Sequence, residues 1–386
     1  MEPVRAMRLA LAQARRASGR TWPNPPVGAV VVRGGRVLGR GYTRPPGGPH
    51  AEIVALADAR RRHGAAALRG ATLVVTLEPC CFTGRTPPCT EAIVAAGIAR
   101  VVVGDRDVDP RACGRGYRRL RAAGVEVVTG VLEGACRAHH CGFASRVERG
   151  RPDVALKLAA TLDGRIATRA GASRWITGEA ARARVHALRA RADAVAVGSG
   201  TARADDPELT ARRGGRVVHR PVRVVFDSAL TLPLASRLVR GPDPERTWVL
   251  ASRGAPAGRR RALEAAGVRV FLVPRRGAHL DLGRALARLG REGLNTLLVE
   301  GGGGLAAALL RAGLVDELHW FAAPALLGGD ARPAVGPLGI GALDARVALA
   351  APQVSRLGAD LYIRGRIARE PRRGAGRAEA RARASA

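Results

Sequence analysis

Three short segments constrain this chain more than any other feature. His50-Ala51-Glu52, Glu78-Pro79-Cys80 and Cys89 carry residue types that act only when brought together, and each falls at an expected element boundary. The run from His50 to His63 has helical spacing, with Ile53, Leu56 and Ala57 on one face. Leu73–Leu77 reads as a short buried strand that ends just before Glu78. Cys89 follows Gly84-Arg85-Thr86-Pro87-Pro88 and opens a helix expected to reach Ala96. A fold that uses these residues must therefore gather one strand end and two helix starts.

One His and two Cys give zinc three ligands and keep its fourth position open, the arrangement of catalytic sites. A closed site would need a fourth ligand. Cys81 is available, but adjacent Cys80 and Cys81 do not easily share one tetrahedral shell. Cys80 and Cys89 lie near a helix N-terminus, where the macrodipole favours thiolate. Glu52 is too close to His50 in sequence to enter the same coordination site. It is placed instead to move protons between a zinc-bound water and a substrate nitrogen. His-x-Glu, then Pro-Cys, then Cys is the signature of zinc deaminases. Zinc lowers the pKa of its water to about 7, which supplies a nucleophile at neutral pH.

The other cysteines are Cys81, Cys113, Cys136 and Cys141. Cys136 and His140 stand one helical turn apart, beside Cys141, and packing is the better reading of that group. His63, His186, His219, His279 and His319 are isolated and receive no role. A long chain with no export signal makes a disulfide framework the weaker reading of six cysteines.

Around these segments strands and helices alternate, which implies α/β layers with partly parallel sheets. The pattern begins with a helix over residues 2–18 and a hairpin turning at Gly34-Gly35. It resets at Arg149-Gly150-Arg151-Pro152, so domains are expected at 1–148 and 152–366, with a disordered Arg/Ala-rich tail at 367–386.

Two glycine-rich turns stand out in the second part. Val197-Gly198-Ser199-Gly200-Thr201 follows a strand, and Gly301-Gly302-Gly303-Gly304 follows another and opens a helix expected over Leu305–Ala312. Such turns let backbone N–H groups approach phosphate. Gly301-x-Gly303-x-x-Ala306 formally fits the dinucleotide fingerprint, although it lies at the end of the domain rather than in its first βαβ unit.

The formal net charge is +32, yet Lys157 is the one lysine among 64 basic residues. The stretch Arg364–Ala386 holds eight Arg and two Glu, so most of the excess is spread over the fold. Diffuse charge argues less for a nucleic-acid partner than a localised stripe would, and aromatics are only 3% of the chain. No apolar run reaches the roughly 18 residues of a membrane helix. Arginines at positions 8, 15 and 16 break any signal-peptide core. A cytoplasmic protein with no membrane partner is expected.

Asn24-Pro25 with Val27-Gly28, His50-Ala51-Glu52, Thr76-Leu77-Glu78-Pro79-Cys80 and Gly84-Arg85-Thr86-Pro87-Pro88-Cys89 resemble the bifunctional riboflavin-biosynthesis deaminase/reductase family. The nine-residue step between the cysteines separates that family from the short Pro-Cys-x-x-Cys of cytidine and tRNA adenosine deaminases. The resemblance implies an N-terminal cytidine-deaminase-like three-layer domain. That domain would bind zinc through His50, Cys80 and Cys89, with Glu52 catalytic and Asn24 holding the pyrimidine. It also implies deamination at C2 of a diamino-hydroxy-pyrimidine bearing a ribosylamino 5-phosphate, a small phosphorylated substrate. Two features depart from the family. Cys81-Phe82 stand where a small residue and His are usual, and His140-Cys141 stand shortly before Gly142-Phe143 where Asn is frequent.

In the second part, Lys157-Leu158-Ala159, Leu162-Asp163-Gly164-Arg165, Ser173-Arg174-Trp175-Ile176-Thr177, Ala204–Thr210 and Glu300-Gly301-Gly302 are similar to the reductase half of that family. The resemblance implies a dihydrofolate-reductase-like α/β domain that uses NADPH to reduce the ribosyl group to ribityl. Ala159, Trp175, Thr201, Asp205, Ser228 and Gly301, Gly302, Gly303 and Gly304 would line NADPH. Lys157, Ser173, Arg189, Leu209, Arg212 and Glu300 would face the substrate, the arginines as bidentate phosphate clamps. Lys157 survives inside a motif on an arginine background, which predicts a contact that a planar guanidinium cannot make. A homo-oligomer is expected. The competing class is a nucleic-acid base deaminase with an accessory C-terminal domain, which leaves the second half unexplained.

Overall fold

The structure, a computed structural model, describes residues 1–368. Of the expected disordered tail, Ile367 instead ends the last strand and Ala368 N–H bonds the Ala348 carbonyl, and the rest lies outside the described residues. Two compact units are present, one of residues 1–154 and 182–301, the other of residues 155–181 and 302 onward.

The first unit opens with helix α1 (Pro3–Ala17), β1 (Gly28–Arg33), β2 (Arg36–Tyr42), α2 (Ala51–His63), β3 (Thr72–Leu77), α3 (Cys89–Ala95), β4 (Arg100–Asp105), α4 (Arg115–Ala122), β5 (Glu126–Val128) and α5 (Glu133–Arg149). The strands form one sheet in the order β2-β1-β3-β4-β5. β1 pairs antiparallel with β2 and β3, while β3, β4 and β5 run parallel. Alternation along each strand sends side chains to two cores. Ala29, Val31, Leu73, Val75, Val101 and Val103 meet Ala55, Leu56, Ile93 and Leu120 of α2, α3 and α4. Val30, Val32, Val74 and Val102 meet Ala6, Met7, Ala10 and Leu11 of α1 and Cys136 of α5. The result is the expected three-layer α/β/α arrangement.

Several approaches in this domain are close enough to exclude a side chain, and the one at Gly41 bears on the site. A Cβ on Gly41 of β2 would stand 2.2 Å from the Ala51 carbonyl oxygen and 2.4 Å from the Ala55 nitrogen. Glycine there seats the first turn of α2, the turn that follows His50 and holds Glu52.

The same unit contains five parallel strands in the order Arg269–Val273, Thr247–Ser252, Val222–Phe226, Ala194–Gly198 and Thr296–Val299. In the second unit, β6 (Asp153–Thr161) runs parallel to the strand Glu317–Ala323, which pairs antiparallel with Asp360–Ile367. That strand in turn pairs with Leu349–Leu357.

Three differences from expectation have local causes. The glycine-rich segment after Ala194–Gly198 is not only a turn, because it winds into a seven-residue helix, Ser199–Asp205. The helix after Gly301 begins at Gly303, two residues early, with Gly302 capping it. Strand Leu349–Leu357 is unforeseen because Pro352 interrupts it. The structure tolerates that proline where the register shifts between Ala350 and Gln353, on a strand with one partner.

Candidate metal centre and reductase site

His50 caps the N-terminus of α2, Cys80 follows β3 across Glu78 and Pro79, and Cys89 is the first residue of α3. Their ligand atoms all lie within 4.8 Å of one another, and this is the only such group of His, Cys, Asp and Glu among the described residues. His50 Nδ1 stands 3.6 Å from Cys80 Sγ and 3.4 Å from Cys89 Sγ. Tetrahedral zinc with Zn–S near 2.3 Å and Zn–N near 2.0 Å requires nitrogen–sulfur separations of about 3.5 Å. The donor set and its spacing therefore fit Zn(2+). Thr86 Oγ1 lies 3.4 Å from the other ring nitrogen, Nε2, and so helps fix the face that His50 presents. Thr86 stands inside a motif that assigns it no role. Its position between Gly84-Arg85 and Pro87-Pro88 is the available signal.

The two thiols divide one proton unequally. Hydrogen bonds from Cys89, then from His50, pull Cys80 down to about 4. Cys89 is pushed well above its ordinary value by its hydrogen bond to Cys80 and by burial. The bond with Cys80 also raises His50. Glu52 is 4% exposed, and burial raises its carboxyl to about 7, where it holds or releases a proton at neutral pH.

The neighbouring residues are structural. Glu78 is buried and accepts N–H bonds from Asp107, Gly114 and Tyr117, which ties the loop after β4 to the strand end carrying Cys80. Cys81 points away, its Sγ 3.7 Å from the Arg111 carbonyl, and the Arg111 guanidinium lies 4.5 Å from the Phe82 ring centre. His140 is buried with Nε2 3.1 Å from Thr76 Oγ1, and Cys136 is packed in the α1/α5 core, in keeping with the packing reading.

Asn24 sits in the loop between α1 and β1, its N–H bonded to the Thr21 carbonyl. Its own carbonyl accepts from Asn295 Nδ2 at 3.2 Å. Neither Asn295 nor its partner Arg146 is singled out by the sequence.

In the parallel sheet, Thr201 and Asp205 follow strand Ala194–Gly198, Ser228 follows Val222–Phe226, and Glu300 and Gly301 follow Thr296–Val299. These are carboxyl ends of neighbouring parallel strands, where open α/β sheets bind ligands. An added Cβ at Gly200 would meet nothing within 4 Å. That placement fits NADPH. Arg189 of α6 (Glu179–Arg189) is bonded to Glu300 through Nε at 2.6 Å and Nη2 at 3.0 Å, and reaches the Thr210 carbonyl through Nη1. Arg212 pairs with Glu208, and its N–H bonds His186 Nδ1. Leu209 is buried and adopts a left-handed φ of 55°.

Lys157 and Ala159 share one half-buried face of β6, while Leu156, Leu158 and Ala160 are buried on the other. Lys157 Nζ is 6.0 Å from the Phe321 ring centre. His319, opposite Lys157 in register, is buried and lies 2.6 Å from the Tyr362 hydroxyl. Ser173 and Trp175 are on an exposed segment, Trp175 at 73%.

Residues 2–105 match the family of cytidine and deoxycytidylate deaminase zinc-binding regions, and residues 152–363 match the RibD C-terminal domain. The riboflavin biosynthesis protein RibD of Actinobacillus pleuropneumoniae is 40% identical over 358 residues, 92% of this chain and 93% of that one. That of Escherichia coli K12 is 42% identical over 337 residues, covering 84% and 89%. The structure of Acinetobacter baumannii RibD superposes with a TM-score of 0.84 at 34% identity, over 95% of this chain and 99% of that one. The diaminohydroxyphosphoribosylaminopyrimidine deaminase/5-amino-6-(5-phosphoribosylamino)uracil reductase of Thermotoga maritima gives 0.81 at 34% identity, over 95% and 99%. A zinc-binding deaminase domain and an NADPH-type reductase domain on one chain define a bifunctional deaminase/reductase. The chain belongs to the RibD family of riboflavin biosynthesis proteins. No helix among the described residues is long and apolar enough to cross a membrane.

Proposed function

We propose that the deaminase half, residues 1–148, removes the C2 amino group of 2,5-diamino-6-(5-phosphoribosylamino)pyrimidin-4-one. The reductase half, residues 152–366, then reduces the ribosyl chain of the product to ribityl. The observation that carries this reading is the His50/Cys80/Cys89 cluster beside buried Glu52, on a chain that also carries a RibD reductase domain.

His50 Nδ1 and the sulfurs of Cys80 and Cys89 would hold Zn(2+), which when bound lowers the pKa of a coordinated water to about 7. Glu52 takes a proton from the attacking water and delivers it to the ring nitrogen beside C2. A second proton passes through the same carboxylate to the departing amine, which leaves as ammonia. Asn24 orients the pyrimidine. In the reductase half, Ala159, Trp175, Thr201, Asp205, Ser228 and Gly301–Gly304 would hold NADPH, whose dihydronicotinamide supplies the hydride. Lys157, Ser173, Arg189, Leu209, Arg212 and Glu300 position the phosphorylated chain so that its C1 faces that donor. Assembly as a homo-oligomer and residence in the cytoplasm complete the reading.

Two assays on the purified chain test it, ammonia release from the diamino substrate and NADPH oxidation on the deaminated one. Ammonia release from RNA or DNA alone overturns it.

A further inference from the structure

The loop that carries Asn24 is held by a residue of the other catalytic half. Asn295 stands at the amino end of strand Thr296–Val299 and is 3% exposed. Its Nδ2 donates to the Pro23 carbonyl at 3.4 Å and the Asn24 carbonyl at 3.2 Å. Its Oδ1 accepts from Arg146 Nε at 2.7 Å, and Arg146 Nη2 donates to the Pro23 carbonyl at 2.8 Å. Both amide ends are thus assigned by their partners, and the ring of contacts closes.

The backbone under this side chain is equally fixed. The N–H groups of Asn295 and Thr296 each donate to Asp193 Oδ2 at 2.9 Å, and the Asn295 carbonyl accepts from Asp153 N–H at 2.8 Å. Pro23 and Arg146 line a cavity of 1110 Å³ that is also lined by Arg85, which lies between Cys80 and Cys89 in the chain. The Asn24 loop and the metal loop therefore border one space. A group here must give two bonds to carbonyls and accept one from a guanidinium. Aspartate accepts but cannot give.

We propose that Asn295, though it lies in the reductase half, is a positioning residue for the deaminase. It fixes the backbone at Pro23–Asn24 so that Asn24 meets the pyrimidine in one geometry. This rests on the pyrimidine-binding role of Asn24. Loss of the amide should not unfold the loop. The Asn24 carbonyl keeps a bond from Thr21 Oγ1, and the Pro23 carbonyl keeps Arg146.

The test compares the full-length zinc-loaded chain with Asn295→Ala, Asn295→Asp and Asn24→Ala, measuring ammonia release, NADPH oxidation and zinc content. Both Asn295 variants are expected to raise the deaminase KM about tenfold, with kcat within about twofold and NADPH oxidation and zinc unchanged. An unchanged KM in Asn295→Asp overturns the proposal, as does an equal fall in both activities or a loss of zinc, which marks a purely structural role. If Asn24→Ala itself leaves the KM unchanged, the reading of Asn24 fails and the proposal with it. A raised KM in Asn24→Ala with neither Asn295 variant affected overturns the proposal alone.

Discussion

The Arg189 guanidinium forks onto the Glu300 carboxylate, two bonds of 2.6 and 3.0 Å joining residues 111 apart in the chain. Both side chains are largely buried, at 18% and 9% exposure. Both are expected to face substrate, and the structure pairs them with each other. Lysine cannot reproduce a planar fork, so Arg189→Lys leaves Glu300 poorly paired in a buried place. We expect destabilisation of about 3 kcal/mol, read as a lower urea midpoint, and a fall of at least about tenfold in NADPH oxidation. Ammonia release should be unaffected at temperatures where the variant is folded.

Glu52→Gln keeps shape and burial but cannot carry a proton. Ammonia release should drop at least about a hundredfold while NADPH oxidation on the deaminated substrate stays within about twofold. Equal loss of both rates would mean that the two activities are not independent.

Zinc loading should release protons. Near pH 8 Cys80 is already thiolate, whereas Cys89 still holds its proton, pushed up by Cys80 and by burial. A metal ion binds both sulfurs as thiolates, so about one proton should leave Cys89 per zinc bound, and ionisation of the coordinated water, with its pKa about 7, adds up to one more. Calorimetry in buffers of different ionisation enthalpy reads that number. Zero release would show that both thiols ionise without metal.

Asp193 is buried, and burial raises its carboxyl to about 6 despite bonds from Asn295 and Thr296 and the nearby Arg146 charge. A carboxyl raised in the fold favours the folded state fully below its unfolded value near 4, and that contribution is lost as pH climbs through 6. An amide at this position does not titrate. In Asp193→Asn, stability relative to the parent should therefore move in the variant's favour between pH 4 and 7, by at most about 3 kcal/mol. Parallel denaturation curves at both pH values would refute this.

The candidate metal ligands are legible in the sequence because their chemistry admits few residue types and their places, at strand ends and helix starts, follow from local pattern. The three-layer sheet is legible for the same reason, since β1, β3 and β4 are plain apolar runs. Strand Leu349–Leu357 is hidden by Pro352, a residue that argues against a strand unless a register shift accommodates it. Asn295 is unreadable. Nothing in its neighbours announces a bond to residues more than 270 positions earlier, because that role exists only once two distant segments have packed. The Arg189–Glu300 pair is obscured differently, by a background of arginines in which no single one stands out.

Lys157 reverses that difficulty. On the half-buried face of β6, beside Ala159, it is the one lysine side chain in 386 residues. Amine-directed chemistry, from isotope-enriched methyl groups to fluorescent tags, therefore meets a single side-chain target apart from the N-terminus. The composition has left the reductase half with a built-in reporter, one resonance or one label whose signal needs no assignment.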